Sequence, residues 1–226
     1  MKVRKPLQVL VAIFALGASA TALNAEDFSV FAMGSISSLL DKGYYNEYTT
    51  PYGSTYKTGG GITFGAEYPL GKILGVEGSY SRVRDNLVLT NYGLSTPQET
   101  GYGIHNQRFS GDLVAHAPRS FFGFKPYLAA GLEYDRFSPV GPPSDTFSGF
   151  VNVSLGAANK VGVNYGGGVD RKLLPYLNLR IDVRDHLTST PTYGLPSSSG
   201  VGAYFPVSGA AHDLDYSAGI VFHFGK

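Results

Sequence analysis

From about residue 28 onward the chain alternates apolar and polar residues with a period of two. The clearest run is Leu177, Leu179, Ile181 and Val183 set against Asn178, Arg180, Asp182 and Arg184, which describes a strand with one apolar and one polar face. The C-terminal stretch repeats it: Leu214, Tyr216, Ala218, Ile220, Phe222 and Phe224 share one face. Asp213, Asp215, Ser217, Gly219 and His223 share the other, with Val221 the exception. The same template predicts strands over about residues 28–37, 59–68, 73–84, 107–116, 125–137, 160–170, 176–187 and 213–224. These lengths cluster near the roughly 9–11 residues that a tilted strand needs to cross hydrocarbon. No long apolar run and no i, i+3, i+4, i+7 stripe competes with this reading.

The connections alternate in length. Short segments at 69–72, 117–124 and 171–175 alternate with long ones at 38–58, 85–106, 138–159 and 188–212, the latter rich in Gly, Ser, Thr, Pro, Asn and Tyr. A soluble barrel has no reason to sort its loops by length between its two ends. An outer-membrane barrel has short periplasmic turns and long external loops, and an even strand count returns both termini to the periplasm. The predicted fold class is therefore all-β: an eight-stranded antiparallel up-and-down transmembrane barrel with short periplasmic turns and four long extracellular loops.

Alternation alone does not separate this from a soluble barrel around an apolar cavity, so the polar face has to decide. That face carries Gly61, Thr63, Gly65 and Glu67, then Glu77, Ser79 and Ser81, then Asn164, Gly166 and Gly168. Small residues with occasional charges suit the cramped interior of eight strands better than a water-facing exterior coated in long lysines and glutamates. Aromatic residues give a second indication. Tyr68, Tyr127, Tyr176, Phe222 and Phe224 are expected near the turn-side boundary, and Tyr80, Tyr134, Phe137 and Tyr216 nearer the loop side, as two interfacial bands.

Composition agrees. Charged residues make up 15% of the 226 positions, whereas Gly (30), Tyr (16) and Phe (14) are abundant. The absence of cysteine excludes a disulfide framework, a thiolate zinc site and a lipidated cysteine. Residues 1–25 read as a cleaved signal peptide, leaving 26–226 as the barrel domain: Lys2, Arg4 and Lys5 precede an apolar run over 7–16 and then small residues. Cleavage is expected after Ala25, with Ala18-Ser19-Ala20 as the competing site. The apolar run is about half of the roughly 20 residues that a membrane-spanning helix needs. Losing those three cations leaves 15 basic against 17 acidic residues, a net charge of −2, which offers no surface for nucleic acid.

The ending Ser217-Ala218-Gly219-Ile220-Val221-Phe222-His223-Phe224 resembles the C-terminal signal of bacterial outer-membrane barrels, although Gly225 and Lys226 extend past the usual final aromatic. Gly166-Gly167-Gly168-Val169-Asp170, the turn through Pro175, and the run from Leu179 to Asp185 resemble the late hairpin of OmpA-like and OmpX-like small barrels. Lys125-Pro126-Tyr127 resembles the start of their fifth strand. The resemblance implies a Gram-negative outer-membrane location at the cell surface and insertion by the barrel assembly machinery through Ser217, Gly219, Phe222 and Phe224. It also implies contact with outer-membrane lipids and lipopolysaccharide, and a barrel alone, without the peptidoglycan-binding domain of full OmpA proteins. A monomer is expected.

The predicted register points Glu67, Glu77, Asp112, Glu133 and Asp182 inward against Arg180 and Arg184, with Arg108 and His116 near opposite rims. A lone carboxylate in a narrow lumen costs several kcal/mol of desolvation, so a salt-bridge network is expected. One role is a permanent plug. The other, implied by OmpA-type barrels, is a gate in a small, porin-like, cation-favouring pore. A lipid A-modifying enzyme is the rival class, and its nearest local arrangement is His186 beside Thr188 and Ser189, which lacks the His-x-Ser spacing expected for a deacylase. The five histidines show no metal spacing, and neither Gly59-Gly60-Gly61 nor Gly166-Gly167-Gly168 precedes a helix or a Walker lysine, so no cofactor and no catalytic site are expected. Tyr44, Tyr45, Tyr48, Tyr52 and Tyr56 make the first external loop a recognition candidate for an extracellular ligand. The leading expectation is thus a structural or surface-interaction barrel.

Overall fold

The computed structural model describes residues 28–40, 42–47, 50–91, 96, 98–140, 155–195 and 209–224. The proposed leader and Tyr48 lie outside these residues. Nine strands follow one another: β1 (Ser29–Leu39), β2 (Lys42–Glu47), β3 (Thr50–Pro69), β4 (Leu74–Asn91), β5 (Gln98–His116), β6 (Phe124–Val140), β7 (Ala158–Leu174), β8 (Leu177–Ser189) and β9 (Ala210–His223). Every pairing is antiparallel, and the order β1-β9-β8-β7-β6-β5-β4-β3 closes on itself because β1 also pairs with β3, from Ser29 opposite Glu67 to Ser37 opposite Gly59. The result is an eight-stranded barrel, with β2 added outside the closed ring as a hairpin partner of the far end of β3. Closure gives every wall strand two neighbours, which is what a sheet needs in hydrocarbon, where no water satisfies a free edge. The chain ends of the barrel are tied together: Phe224 N–H donates to Phe28 O at 2.8 Å.

All eight predicted strands are present, but several run farther than expected. The segment 85–106, read as a loop from its Gly, Thr, Asn and Tyr content, continues as β4 and β5 until only residues 92–97 separate them. The reason lies in the inward side chains: Val83, Leu87, Tyr102 and Ile104 are buried against the barrel interior, so the alternation persists under a loop-like composition. Likewise, much of 38–58 is β2 and the start of β3, with a register irregularity between Lys57 and Gly60.

The two faces of the wall differ as the alternation requires. Leu113, Leu128, Leu132, Val161 and Ile181 stand outward and exposed, whereas Glu77, Asp112, Asn164, Arg180 and Asp182 are inward and buried. The turn end carries an outward aromatic cluster in which Phe28 and Phe224 stack at 5.7 Å, and Phe222 lies 5.5 Å from Tyr176. Toward the other end, Tyr80, Phe109 and Tyr134 stand directly opposite one another on β4, β5 and β6, with Tyr80 and Phe109 at 4.9 Å. Two aromatic residues expected in these bands are not there. Tyr127 and Phe137 are 3% and 2% exposed inside the barrel, because they share the parity of Glu133 on β6 and must face where it faces.

Candidate functional site in the barrel lumen

Among the described residues, two polar layers and an apolar cluster at the loop end fill most of the interior, with two smaller apolar groups, Phe31, Met33 and Val221 and Val114, Tyr127 and Ala129, also inside the wall. In the layer nearer the turn end, Arg180 on β8 is fully buried and donates Nε to Asp170 Oδ1 (2.8 Å), Nη2 to Asp170 Oδ2 (2.9 Å), Nη1 to Glu77 Oε2 (3.0 Å) and Nη2 to Glu67 Oε2 (3.1 Å). Its guanidinium also lies 4.5 Å from the centre of the Tyr127 ring. Two residues along the same face, Arg184 donates Nε to Asp182 Oδ1 (3.0 Å), Nη1 to Asp112 Oδ2 (2.7 Å) and Nη2 to Glu77 Oε1 (2.7 Å). Glu77 therefore bridges the two arginines. Asn164 Nδ2 donates to Asp112 Oδ1 at 2.7 Å, His116 Nε2 sits 2.6 Å from Glu67 Oε1, and the Tyr127 hydroxyl donates to Asp182. This layer ties together side chains from β3, β4, β5, β6, β7 and β8.

Glycine makes the packing possible at two places. A Cβ on Gly168 would come within 2.7 Å of the Tyr127 hydroxyl oxygen, and one on Gly131 within 2.1 Å of Asp112 Oδ1. Any side chain at either position would displace the group it faces.

The second polar layer lies toward the loop end. Arg108 on β5 donates Nε to Asp135 Oδ1 (2.9 Å) and Nη2 to Asp213 Oδ2 (2.8 Å), with Asp215 at 3.9 Å and Glu133 at 3.8 Å. Glu133 Oε2 also lies 2.5 Å from His186 Nδ1, and Ser37 donates to Asp213 at 2.5 Å. Beyond it, Leu39, Tyr56, Leu87, Tyr102, Ile104, Phe137, Ala158, Tyr193 and Ala211 form an apolar cluster across the barrel mouth, in which the Tyr56 and Tyr193 hydroxyls are 2.7 Å apart. Between the polar layers remains a cavity of about 20 Å³, touching Glu77, Ser79, Arg108, Asp182, Arg184 and His186, enough for one water molecule.

Of the residues expected in the lumen, Glu67, Glu77, Asp112, Asp182, Arg180 and Arg184 come together in one layer, while Glu133 belongs to the other. Arg108, expected at a rim, is a buried centre of that second layer. Asp170, Asp135, Asp213 and Asp215 join the two layers beyond the expected set; each shares the inward parity of its strand, as the alternation already shows for Asp213 and Asp215. Tyr56, a loop recognition candidate, is buried in the apolar cluster because β3 begins well before it, so it is not available to an external ligand. Tyr44 and Tyr45 fall on β2 and Tyr52 on β3, with Tyr45 opposite Tyr52 in the ladder. At the C-terminal strand, Ser217 faces inward, and Phe222 and Phe224 stand outward in the turn-end aromatic cluster. No group of histidine, aspartate and glutamate arranged to hold a metal ion occurs among the described residues.

A closed antiparallel barrel, apolar outside between two aromatic bands and polar within, defines a transmembrane β-barrel of the outer-membrane kind. The chain belongs to the outer membrane protein beta-barrel domain family, whose model it matches over residues 9–224, and its place is the bacterial outer membrane, among that membrane's lipids. No curated protein matches the sequence. Among solved structures, the outer membrane protein OprG from Pseudomonas aeruginosa superposes with a TM-score of 0.60 at 15% identity, over 89% of this chain and 97% of that one. Neisserial surface protein A gives 0.48 at 18% identity, over 87% and 97%. The attachment invasion locus protein Ail of Yersinia pestis, in complex with the heparin analogue sucrose octasulfate, gives 0.48 at 12%, over 88% and 99%. At these identities the likeness is one of fold.

Proposed function

We propose that this protein is a closed-lumen barrel with a structural or surface-interaction role, acting through the parts it presents outside the membrane. The observation that carries this reading is the lumen itself: Arg180 and Arg184 bind carboxylates from five strands across the interior, and the cavity between the two polar layers is about the size of one water. A route for hydrated ions would require both arginines to leave their partners at once, and the apolar cluster at the mouth to open as well.

The same geometry speaks against catalysis at the one local arrangement that suggested it. His186 and Thr188 are buried in the lumen while Ser189 is exposed, so the three do not converge on a substrate. Assembly through the C-terminal strand, with Phe222 and Phe224 outward for the barrel assembly machinery, and a monomeric state complete the proposal.

The test is bilayer conductance of the refolded chain beside its Arg180→Met and Arg184→Met variants. The wild type is expected to show no unitary openings. Discrete cation-selective openings in the wild type, altered by either substitution, would replace this reading with the gated pore.

A further inference from the structure

The outer surface is not uniform in charge. Immediately beyond the Tyr80, Phe109 and Tyr134 row, the next outward positions on β4, β5 and β6 are Arg82, Gln107 and Arg136, again directly opposite one another in the ladder. One step farther stands Arg84 opposite His105, and beyond the irregularity in β3 comes Lys57. Arg82, Arg84, Arg136 and Lys57 are all exposed, and none has a carboxylate partner among the described residues. Two of them crowd one imidazole: Arg84 Nε donates to His105 Nε2 at 2.9 Å, and Arg82 Nη2 lies 3.3 Å from His105 Nδ1.

This arrangement is unusual for a surface left to water. Like charges on neighbouring strands repel, and a barrel with a net acid surplus had acids to spare for pairing them. Instead most of the acids among the described residues are buried inside the lumen, and on the opposite wall the outward Asp185 is taken up by Tyr165 (2.7 Å) and His212 (2.8 Å). The exposed Glu99 of β5 stands six residues beyond His105, roughly 20 Å along the strand. Among the described residues the cationic wall thus lies on β4, β5 and β6 with Lys57 of the adjoining β3, directly above aromatic rings that sit at the level where lipid headgroups begin.

We infer that Arg82, Arg84 and Arg136, with His105, Gln107 and Lys57 beside them, form a binding site for the phosphate groups of an outer-leaflet glycolipid. The aromatic row packs on the lipid's acyl and sugar boundary, and the guanidiniums, each a planar set of five donors, take the phosphates in paired hydrogen bonds. Adjacent strands lie about 4.8 Å apart, so Arg82 and Arg136, two strands apart, are spaced to hold one diphosphorylated headgroup between them. The inference depends on the outer-membrane placement of the chain and not on the lumen being closed.

The experiment titrates the detergent-solubilised full barrel with bisphosphorylated lipid A, with lipid A stripped of its phosphates, and with phosphatidylglycerol, reading bound lipid by native mass spectrometry. The wild type is expected to retain the bisphosphorylated lipid in preference to both others. The R82Q/R84Q/R136Q triple variant should lose affinity by about tenfold or more, as expected for several charge-assisted hydrogen bonds, while keeping the strand-rich circular dichroism spectrum of the wild type. Arg136→Gln alone, at an exposed position, should give a smaller loss and serves if the triple variant does not fold. A K125Q/R171Q variant, altered at the turn end, should bind as the wild type does. Equal retention of stripped lipid or phosphatidylglycerol, unchanged binding by the triple and single variants, or an equal loss in the turn-end variant would each overturn the site.

Discussion

The two ends of the lumen are closed by different physics. At the turn end, Arg180 makes four hydrogen bonds to three carboxylates and Arg184 three more, so the charges seal the barrel by satisfying one another. At the loop end, Arg108 is equally buried, but its Nη1 has no hydrogen-bond partner in the protein, and neither do Glu133 Oε1, Asp135 Oδ2 and Asp215 Oδ1. There the seal comes from the apolar cluster above, where Leu87 and Ile104 are fully buried and Phe137 nearly so. At the turn end the buried atoms without a protein partner, His116 Nδ1 and Asn164 Oδ1, belong to neither the arginines nor the carboxylates; where charged atoms are left over, a hydrophobic cap does the work.

The comparison is breakable by substitution. Arg180→Met takes from Asp170 its arginine and from Glu77 and Glu67 one of two partners each, Arg184 and His116 remaining, and should lower the unfolding free energy by about 3–5 kcal/mol, measured by denaturant titration in lipid vesicles. Leu87→Ala attacks the other end by leaving a cavity in the cap, with an expected loss of about 2–3 kcal/mol and no dependence on salt. Tyr127→Phe removes the hydroxyl that donates to Asp182 while keeping the ring under Arg180, and should cost about 1.5–2 kcal/mol. The smallest effect is expected from Tyr193→Phe, which takes one hydroxyl from the Tyr56 contact and should cost about 1 kcal/mol. If Leu87→Ala proved neutral while Arg108→Met were severe, the loop end would be held by its charges after all, and the contrast between the ends would fail.

Much of this was legible in the sequence, and the limits have a physical cause. Period-two alternation located all eight wall strands, because a wall that separates lipid from a polar lumen must alternate. Strand ends were misplaced where composition and alternation disagreed: Thr, Gly, Asn and Tyr look like loop, yet Leu87, Tyr102 and Ile104 keep the wall going into the mouth. Parity also bears on side chains that seem to belong elsewhere. Tyr127 and Phe137 look interfacial, but Glu133 between them fixes all three inward. What parity does not carry is which strand faces which across the lumen, so the bridging role of Glu77 and the assignment of Glu133 to the Arg108 layer required the closed barrel. Asp170, Asp213 and Asp215 have the inward parity, but which arginine each meets depends on the same cross-lumen packing.

The central claim is that the Arg180 layer is a permanent clamp. A double-mutant cycle on Arg180→Met and Asp170→Leu, measured by unfolding in lipid vesicles, tests it most directly, because Asp170 meets Arg180 through both carboxylate oxygens. A permanent pair predicts that the double variant is less damaged than the sum of the singles, with a coupling of about 2–3 kcal/mol. Additive losses would mean that the two side chains are apart for most of the time, and the lumen would then have to be redrawn as a gate.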